Sequence, residues 1–175
     1  MAEEGIITTN LNAANGADTQ PVAGVVQQYI KDLSVENPNA PDSFQWPGQP
    51  DIDVQFNIAS VRVNDELHEV ELKVSVSARA EQGTIYAVEL SYCGLIGMRN
   101  MPDDQSHAFL YAEAPRFLFP FARQVIAEAV RDAGYAPLML DPIDFQGLYL
   151  QQLQQRYTEQ QNVDGAEGDS PVGNS

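Results

Sequence analysis

The stretch PRFLFPFARQVIAEAVRDA, Pro115 to Ala133, decides the fold of this chain. Its apolar residues recur at helical spacing and predict one buried helix face. That face comprises Leu118, Ala122, Val125, Ile126, Ala129 and Ala133, and the polar face comprises Arg116, Arg123, Gln124 and Arg131. Pro120 suits the first turn of this helix and Gly134 suits its end.

Three phenylalanines at the start of this helix, Phe117, Phe119 and Phe121, require a large apolar partner surface. No helical pattern precedes them. We therefore expect the helix to pack on a sheet.

Four alternating stretches upstream predict that sheet: Val25–Glu36, Ile52–Ile58, His68–Val76 and Tyr86–Tyr92. In the first, the alternation puts Tyr29, Leu33 and Val35 on one face with Val25, and Asp32 and Glu36 on the other with Ile30. Short turns join the last three stretches, and a long proline-containing loop follows the first. The predicted fold class is α+β: a four-stranded antiparallel sheet with a Greek-key crossover, followed by a long helix and a second C-terminal helix.

The remaining segments are less regular. Cys93–Ala114 predicts irregular chain with a short helical turn near Phe109–Glu113, and Asp144 suits the N-cap of the second helix. The polar ends predict a disordered N-terminal arm over residues 1–21 and an acidic disordered tail over residues 161–175. The folded domain is then expected at 22–160.

The charge balance excludes some partners. The chain has 175 residues, with 25 acidic against nine basic side chains and a formal net charge of −16. Such a field repels phosphate backbones, so we expect no nucleic-acid partner and favour a basic protein segment or an unfolded cationic chain. The first ten residues lack the pattern of a signal peptide, and no long apolar run exists, so a cytoplasmic protein without membrane insertion is expected.

Candidates for catalysis are poor. His68 lies among apolar neighbours in a strand and His107 in a predicted loop, so both are interpreted as structural. Cys93 is the only cysteine, which excludes an internal disulfide, and it is interpreted as a packed thiol. The chain carries no nucleophile elbow, phosphate loop, dinucleotide fingerprint or zinc-protease motif. We expect no enzyme activity, no metal site and no cofactor.

Acidic residues gather on one predicted sheet face. They are Asp32, Glu36, Asp53, Glu69, Glu71 and Glu89. One interpretation is an ordinary solvated face; the other is a docking surface for a basic partner, since Lys73 and Arg79 cannot neutralise so many acids.

Apolar residues also stand in predicted loops, where a monomer of this size seldom places them. Phe44 and Trp46 lie in the long first connection, and Leu138–Leu140 lies between the two helices. They either close over the core, line a groove for an extended apolar segment, or form a subunit interface.

Two long motifs in the sequence resemble those of a known protein family. YIKDLSVENPNAPDSFQ, Tyr29 to Gln45, resembles the strand-and-loop signature of SecB, the bacterial protein-export chaperone family. LFPFAR, Leu118–Arg123, and GYAPLMLDPIDFQGLYLQQLQ, Gly134–Gln154, resemble the helix entry, connector and second helix of the same family. The likeness covers about Val22 to Tyr157. It departs at Tyr92-Cys93-Gly94, where the family often has a Gln-Gly-Gly-like run, and at Val35, where many members have Phe.

The resemblance implies a cytosolic homotetramer, a dimer of dimers with helices sandwiched between sheets. It would bind unfolded precursor proteins, keep them translocation-competent and deliver them to the SecA motor ATPase, without a cofactor of its own. In the family, outer-face acids contact the basic tail of SecA, and Asp32, Glu36 and Glu89 match those positions.

The resemblance also nominates apolar residues. For the client-binding groove it implies Phe44, Trp46, Leu138, Leu140, Phe145 and Tyr149, and for the oligomer interface Val88, Leu90 and Tyr92. Two alternatives stay open: a related chaperone for a non-export client such as an antitoxin, and a small-ligand enzyme of hot-dog type. The hot-dog type is disfavoured because the main helix follows all four strands and no acid/base pair lies near it.

Overall fold

A computed structural model describes residues 19–166 of the chain. Four strands come first: β1 (Val22–Glu36), β2 (Asp51–Arg62), β3 (Leu67–Ala80) and β4 (Gly83–Arg99). The helices follow: α1 (Asp103–Ala108), a π-helical turn (Phe109–Glu113), α2 (Ala114–Asp132) and α3 (Phe145–Ala166). A short 3₁₀ turn, Asp42–Gln45, lies in the crossover loop between β1 and β2. The α+β order is as predicted.

The strands form one antiparallel sheet in the order β1-β4-β3-β2. Hairpins connect β2, β3 and β4 in sequence. β1 pairs with β4 instead of β2, so the crossover loop runs from one edge of the sheet to the other, and the Greek-key prediction is confirmed. β1 and β2 are the two edges. We call the side covered by α2 the inner face and the opposite side the outer face.

Strand β1 departs from its predicted alternation at two bulges. The register with β4 shifts between Val25 and Gln27 and again between Ile30 and Asp32. Each extra residue exchanges the faces of those that follow. The prediction for Tyr29 and Ile30 was therefore wrong: Tyr29 lies on the outer face opposite Cys93, and Ile30 lies on the inner face opposite Tyr92.

The predicted irregular segment after Tyr92 was also wrong over most of its length. β4 continues to Arg99 because it pairs with β1 on one side and β3 on the other, which satisfies its backbone groups. The helical layer then begins at Asp103, and only the helical turn at Phe109–Glu113 was foreseen. Pro120 consequently lies inside α2 rather than in its first turn, where Pro115 stands instead.

Helix α2 forms the second layer by packing on β4 and β3. Leu118, Ala122 and Ile126 are fully buried, as predicted, against inner-face residues such as Leu72 and Leu90. A Cβ on Gly94 would lie 2.8 Å from the Leu118 side chain, so glycine allows this close approach of helix and sheet.

The phenylalanines at the start of α2 separate in the structure. Phe119 is buried, with ring centroids 6.1 Å from Phe56 and 5.7 Å from Phe145. Phe117 and Phe121 remain exposed. The helix α1 and the π-helical turn precede these phenylalanines, so the expectation that no helical segment precedes them was wrong.

The predicted domain limits can be compared with the first strand and the last helix. β1 begins at Val22, and most of the predicted N-terminal arm, residues 1–21, lies outside the described residues. Helix α3 extends to Ala166, past the predicted limit at residue 160. The rest of the predicted acidic tail lies outside the described residues.

Candidate functional site: an acidic outer face and an exposed apolar surface

The register of the sheet places the predicted acidic residues on one face. Asp32, Glu36, Asp53, Glu69, Glu71 and Glu89 all belong to outer-face positions. Asp32 and Glu36 keep this face despite the bulges, because both follow the second one. They divide into a group with partners and a group without.

Asp53, Glu69 and Glu71 belong to the first group, and Gln55 Nε2 donates to Asp53 Oδ2 at 3.1 Å. Tyr29 and Lys31 both donate hydrogen bonds to Glu69, the lysine at 2.5 Å, and Ser91 Oγ donates to Glu71 Oε1 at 2.6 Å. The hydrogen bonds from Lys31 and Tyr29 lower the pKa of Glu69, and the bond to Glu69 raises the pKa of Tyr29 to about 12.

Cys93 pairs with Glu71, lies diagonally across the ladder from Glu69, and is fully buried. Burial, and then the negative charges of Glu69 and Glu71, raise the pKa of its thiol to about 11. The thiol is therefore protonated at neutral pH, as expected for a packed cysteine.

Asp32, Glu36 and Glu89 form the second group, here called the acidic triad. Ser34, which pairs with Glu89, lies midway between Asp32 and Glu36 on β1. At a strand rise of about 3.3 Å per residue, the two β1 carboxylates stand about 13 Å apart, with Glu89 across the ladder from the midpoint. All three are exposed, and none forms a hydrogen bond or ion pair with another described residue.

The inner face carries a second uncovered surface. Because α2 packs mainly on β4 and β3 and touches β1 less, no described helix fully covers the inner side of β1. Ile30, Leu33, Val35, Phe117 and Phe121 are each between 40% and 48% exposed. Phe121 stacks on Tyr92 at 6.5 Å, and Tyr92 pairs with Ile30, so strand and helix residues make one continuous surface. We call these five residues the apolar β1–α2 surface.

The residues of the predicted groove are spread along α2, from Phe44 beside Tyr135 after its end to Tyr149 beside His107 before its start, and they differ in exposure. Phe44 is 46% exposed, and Trp46, Leu138 and Tyr149 are half-buried. Leu140 and Phe145 are buried within the chain and form a floor rather than a free surface.

Two polar contacts fix the elements around these groove residues. Arg123 Nη1 donates to the Leu140 carbonyl at 3.4 Å and holds the α2–α3 connector (Gly134–Asp144) on α2. His107 Nδ1 and the Tyr149 hydroxyl are 2.8 Å apart, and the His107 ring stacks on Tyr111. His107 therefore anchors α3 to the helical layer.

The residues predicted for the oligomer interface are buried and do not belong to the exposed apolar β1–α2 surface. Val88, Leu90 and Tyr92 are buried between β4 and α2, while the apolar β1–α2 surface lies beside them. Periodicity missed this surface because of the bulges. The adjacent apolar pairs Val25-Val26 and Tyr29-Ile30 were the available signal, since a strictly alternating strand has none.

The described residues contain little that suits catalysis. Burial, and then the charge of Arg62, lower the pKa of His68, whose Nδ1 is buried without a hydrogen-bond partner. Within residues 19–166, no group of three or more His, Cys, Asp or Glu side chains is arranged to hold a metal ion. None of the described helices is long and apolar enough to cross a membrane.

Comparison with known proteins assigns the family. The family model for "Preprotein translocase subunit SecB" matches residues 16–156. The protein-export protein SecB of Novosphingobium aromaticivorans is 62% identical over 160 residues, covering 89% of this chain and 92% of that protein. The protein-export protein SecB of Erythrobacter litoralis is 57% identical, with the whole of both chains covered.

A solved structure shows the same fold. The Mycobacterium tuberculosis Rv1957 SecB-like chaperone, in complex with a peptide from the HigA1 antitoxin, superposes with a TM-score of 0.59. The match covers 69% of this chain and 90% of that one at 12% identity, so it supports the fold alone. The family model and the identities over most of the chain, together with this fold, show that the chain belongs to the SecB family.

Proposed function

We propose that this protein is a protein-export chaperone that holds unfolded precursor proteins and delivers them to the SecA motor through two separate surfaces. The observation that carries the proposal is the position of the acidic triad. Its three carboxylates, which have no partner among the described residues, lie on the outer face, whereas the exposed aromatic and aliphatic side chains of the predicted groove lie on the inner side. A motor can therefore dock while a client is still held.

The acidic triad is the proposed motor-docking site. Its carboxylates have no cation among the described residues, so a basic segment would gain three favourable charge contacts without displacing an internal ion pair. The net charge of −16 steers such a segment toward the protein over a longer range. Glu69 is less available, because Lys31 and Tyr29 already occupy it.

The proposed client site is formed by Phe44 and Trp46 of the crossover loop with Leu138 and Tyr149, above the floor of Leu140 and Phe145. Exposed rings in shallow surroundings contact many apolar sequences with little selectivity. Several such sites on one assembly hold a long chain through effective concentration. A chain that folds quickly buries its apolar segments and escapes capture.

The proposed assembly is a homotetramer, in which the apolar β1–α2 surface is the subunit contact. Five large apolar side chains left about half exposed on one surface favour burial against a second copy. Val88, Leu90 and Tyr92 support that contact from beneath, because Tyr92 positions Phe121 by stacking.

The export function is favoured over antitoxin protection. The relatives at 57–62% identity are export proteins, whereas the antitoxin-bound chaperone shares the fold at 12% identity. A cytoplasmic location and the absence of an enzymatic step are part of this proposal. The chain acts by binding alone.

Replacement of Glu89 by lysine tests the separation of the two surfaces. At about 0.2–1 kcal/mol for each exposed charge pair, Glu89→Lys loses one attraction and gains one repulsion, and we expect roughly a 2- to 30-fold weaker SecA complex. Suppression of client aggregation is expected to stay at the wild-type level. Both are measured on the same assembly, with titration calorimetry for the motor and light scattering for the client.

Asp104→Lys is the matched control, since it changes the charge equally but lies on α1, away from the outer face. Equal weakening of SecA binding by both variants would mean that net charge, not the triad, recruits the motor. Loss of client binding together with motor binding in Glu89→Lys would contradict two separate surfaces. A wild-type protein that ignores unfolded precursors would refute the chaperone function itself.

A further inference from the structure

A polar network joins the crossover loop to the end of α2, and its central residue is Tyr135. The Tyr135 hydroxyl donates to Asn37 Oδ1 at 2.9 Å and lies 2.6 Å from Ser43 Oγ. Its single proton is used on Asn37, so Ser43 donates to the tyrosine oxygen. Asn37 Nδ2 then donates to the Ala133 carbonyl at 2.8 Å, which closes the network on the helix end.

The tyrosine ring makes a second set of contacts with the same loop. The Tyr135 and Phe44 ring centroids are 5.0 Å apart, and Tyr86 of β4 lies 5.2 Å away on another side. Phe44 also lies over Gly134, where a Cβ would approach it to 2.8 Å. Ser43 is only 5% exposed, so its hydroxyl depends on Tyr135 for its hydrogen bond.

These contacts connect two chain segments that are far apart in sequence. The crossover loop carries Phe44 and Trp46, and the α2–α3 connector, which contains Tyr135, carries Leu138 and Leu140. Asn39 Nδ2 further ties the loop to β4 through the Thr84 carbonyl at 2.8 Å. A loop held at several points loses less conformational entropy when a client binds.

We propose that Tyr135 is the positioning residue of the client site: its hydroxyl and ring hold the crossover loop against the connector, so that Phe44 and Trp46 are preorganised for the client. This proposal rests on the proposed client-binding function. Tyr135 is not assigned a contact with the client itself. It acts through Phe44 and the loop.

Tyr135→Phe tests this role, because it keeps the ring and removes only the hydroxyl that links Ser43 to Asn37. We expect a higher Kd for an unfolded client, by at most roughly tenfold, because binding must then re-order a loop that has lost one buried hydrogen bond. Trp46 is the only tryptophan, so its fluorescence reports on the loop alone. We expect acrylamide to quench it more strongly in the variant.

Tyr86→Phe is the matched control. Tyr86 is buried and packs on the same ring, but its hydroxyl makes no hydrogen bond with the described residues. The control is expected to keep wild-type client affinity and Trp46 quenching. Binding of SecA through the acidic triad is expected to be unchanged in both variants, which would show that the sheet of each chain is intact.

Ser43→Ala and Ser43→Thr serve as a second pair. The alanine variant removes the donor to Tyr135 and is expected to weaken client binding and expose Trp46, whereas threonine keeps a hydroxyl and restores both. Wild-type affinity and quenching in Tyr135→Phe and Ser43→Ala would overturn the positioning role. Wild-type protein that binds no unfolded client would instead refute the proposed function, so the two failures are distinguishable.

Discussion

Truncation of Phe121 should separate the subunits without unfolding them. The side chain is 48% exposed in the single chain, on the apolar β1–α2 surface. Since a phenylalanine buries about 150–250 Å² when fully covered, about 100 Å² remains for a partner subunit to cover. At about 25 cal/mol per Å², Phe121→Ala should cost about 2.5 kcal/mol, or roughly a 60-fold lower association constant, for each Phe121 side chain that the subunit contact covers.

The fold of the single chain should survive this change. The half of Phe121 that is covered within the chain contributes about 2.5 kcal/mol, and its stacking on Tyr92 adds about 0.5–1.5 kcal/mol, which is less than the stability of about 5–15 kcal/mol typical of a domain. We expect far-ultraviolet circular dichroism to retain the wild-type spectrum. Sedimentation velocity across a concentration series should show the assembly dissociating.

Leu148→Ala is the matched control, because Leu148 is also 48% exposed but lies on α3, outside this surface. It should leave the association constant unchanged. A Phe121→Ala protein with wild-type association, or a Leu148→Ala protein equally weakened, would refute the assignment of the subunit contact. Exposure alone would then not distinguish an interface from ordinary surface.

Three further outcomes follow from the structure. Ile126→Ala removes a fully buried side chain and should lower the free energy of unfolding by about 2–5 kcal/mol in urea titrations; a loss below 1 kcal/mol would mean that the site collapses around the cavity. Gly134→Ala should cost about 1–2 kcal/mol for its positive φ and, in addition, displace Phe44. Gly48→Ala, at a positive φ with open space around it, should show the backbone cost alone, and equal losses in the two variants would contradict the Phe44 contact. Finally, the Cys93 thiol should resist thiol reagents in the native state at pH 8. Because its pKa is raised on folding, the protonated thiol contributes to the free energy of unfolding below its ordinary pKa of about 9, and this contribution is lost as pH rises through about 11. Cys93→Ala should remove that part of the pH dependence, and rapid native labelling at pH 8 would refute the burial.

Local periodicity was sufficient for most of the fold. The period of two in β2, β3 and β4, and the helical spacing of Leu118, Ala122 and Ile126, report which face meets the core, because burial selects apolar side chains at those spacings. The outer-face acids followed from the same alternation. The two long motifs added the family, which the comparisons confirmed.

Tertiary structure decided what depends on a neighbour in space. The two bulges of β1 exist only in the pairing with β4, and they set which side of the strand carries Tyr29 and which carries Ile30. The length of β4 beyond Tyr92 was decided by its two partner strands, not by its own composition. The distinction between Glu69, which has partners, and the acidic triad, which has none within residues 19–166, likewise required the positions of Lys31 and Tyr29.

The candidate site likewise combines features that local sequence predicts with contacts between residues far apart in the chain. Sequence alone determined that aromatic residues stand in the crossover loop and connector, and that acids stand on one sheet face. Only the fold showed that Leu140 and Phe145 are buried while Phe44 is not, and that Tyr135 joins Ser43 to Asn37. The physical reason is that composition and periodicity indicate whether a side chain is buried or exposed. A hydrogen bond between residues nearly a hundred positions apart forms only when the chain has packed.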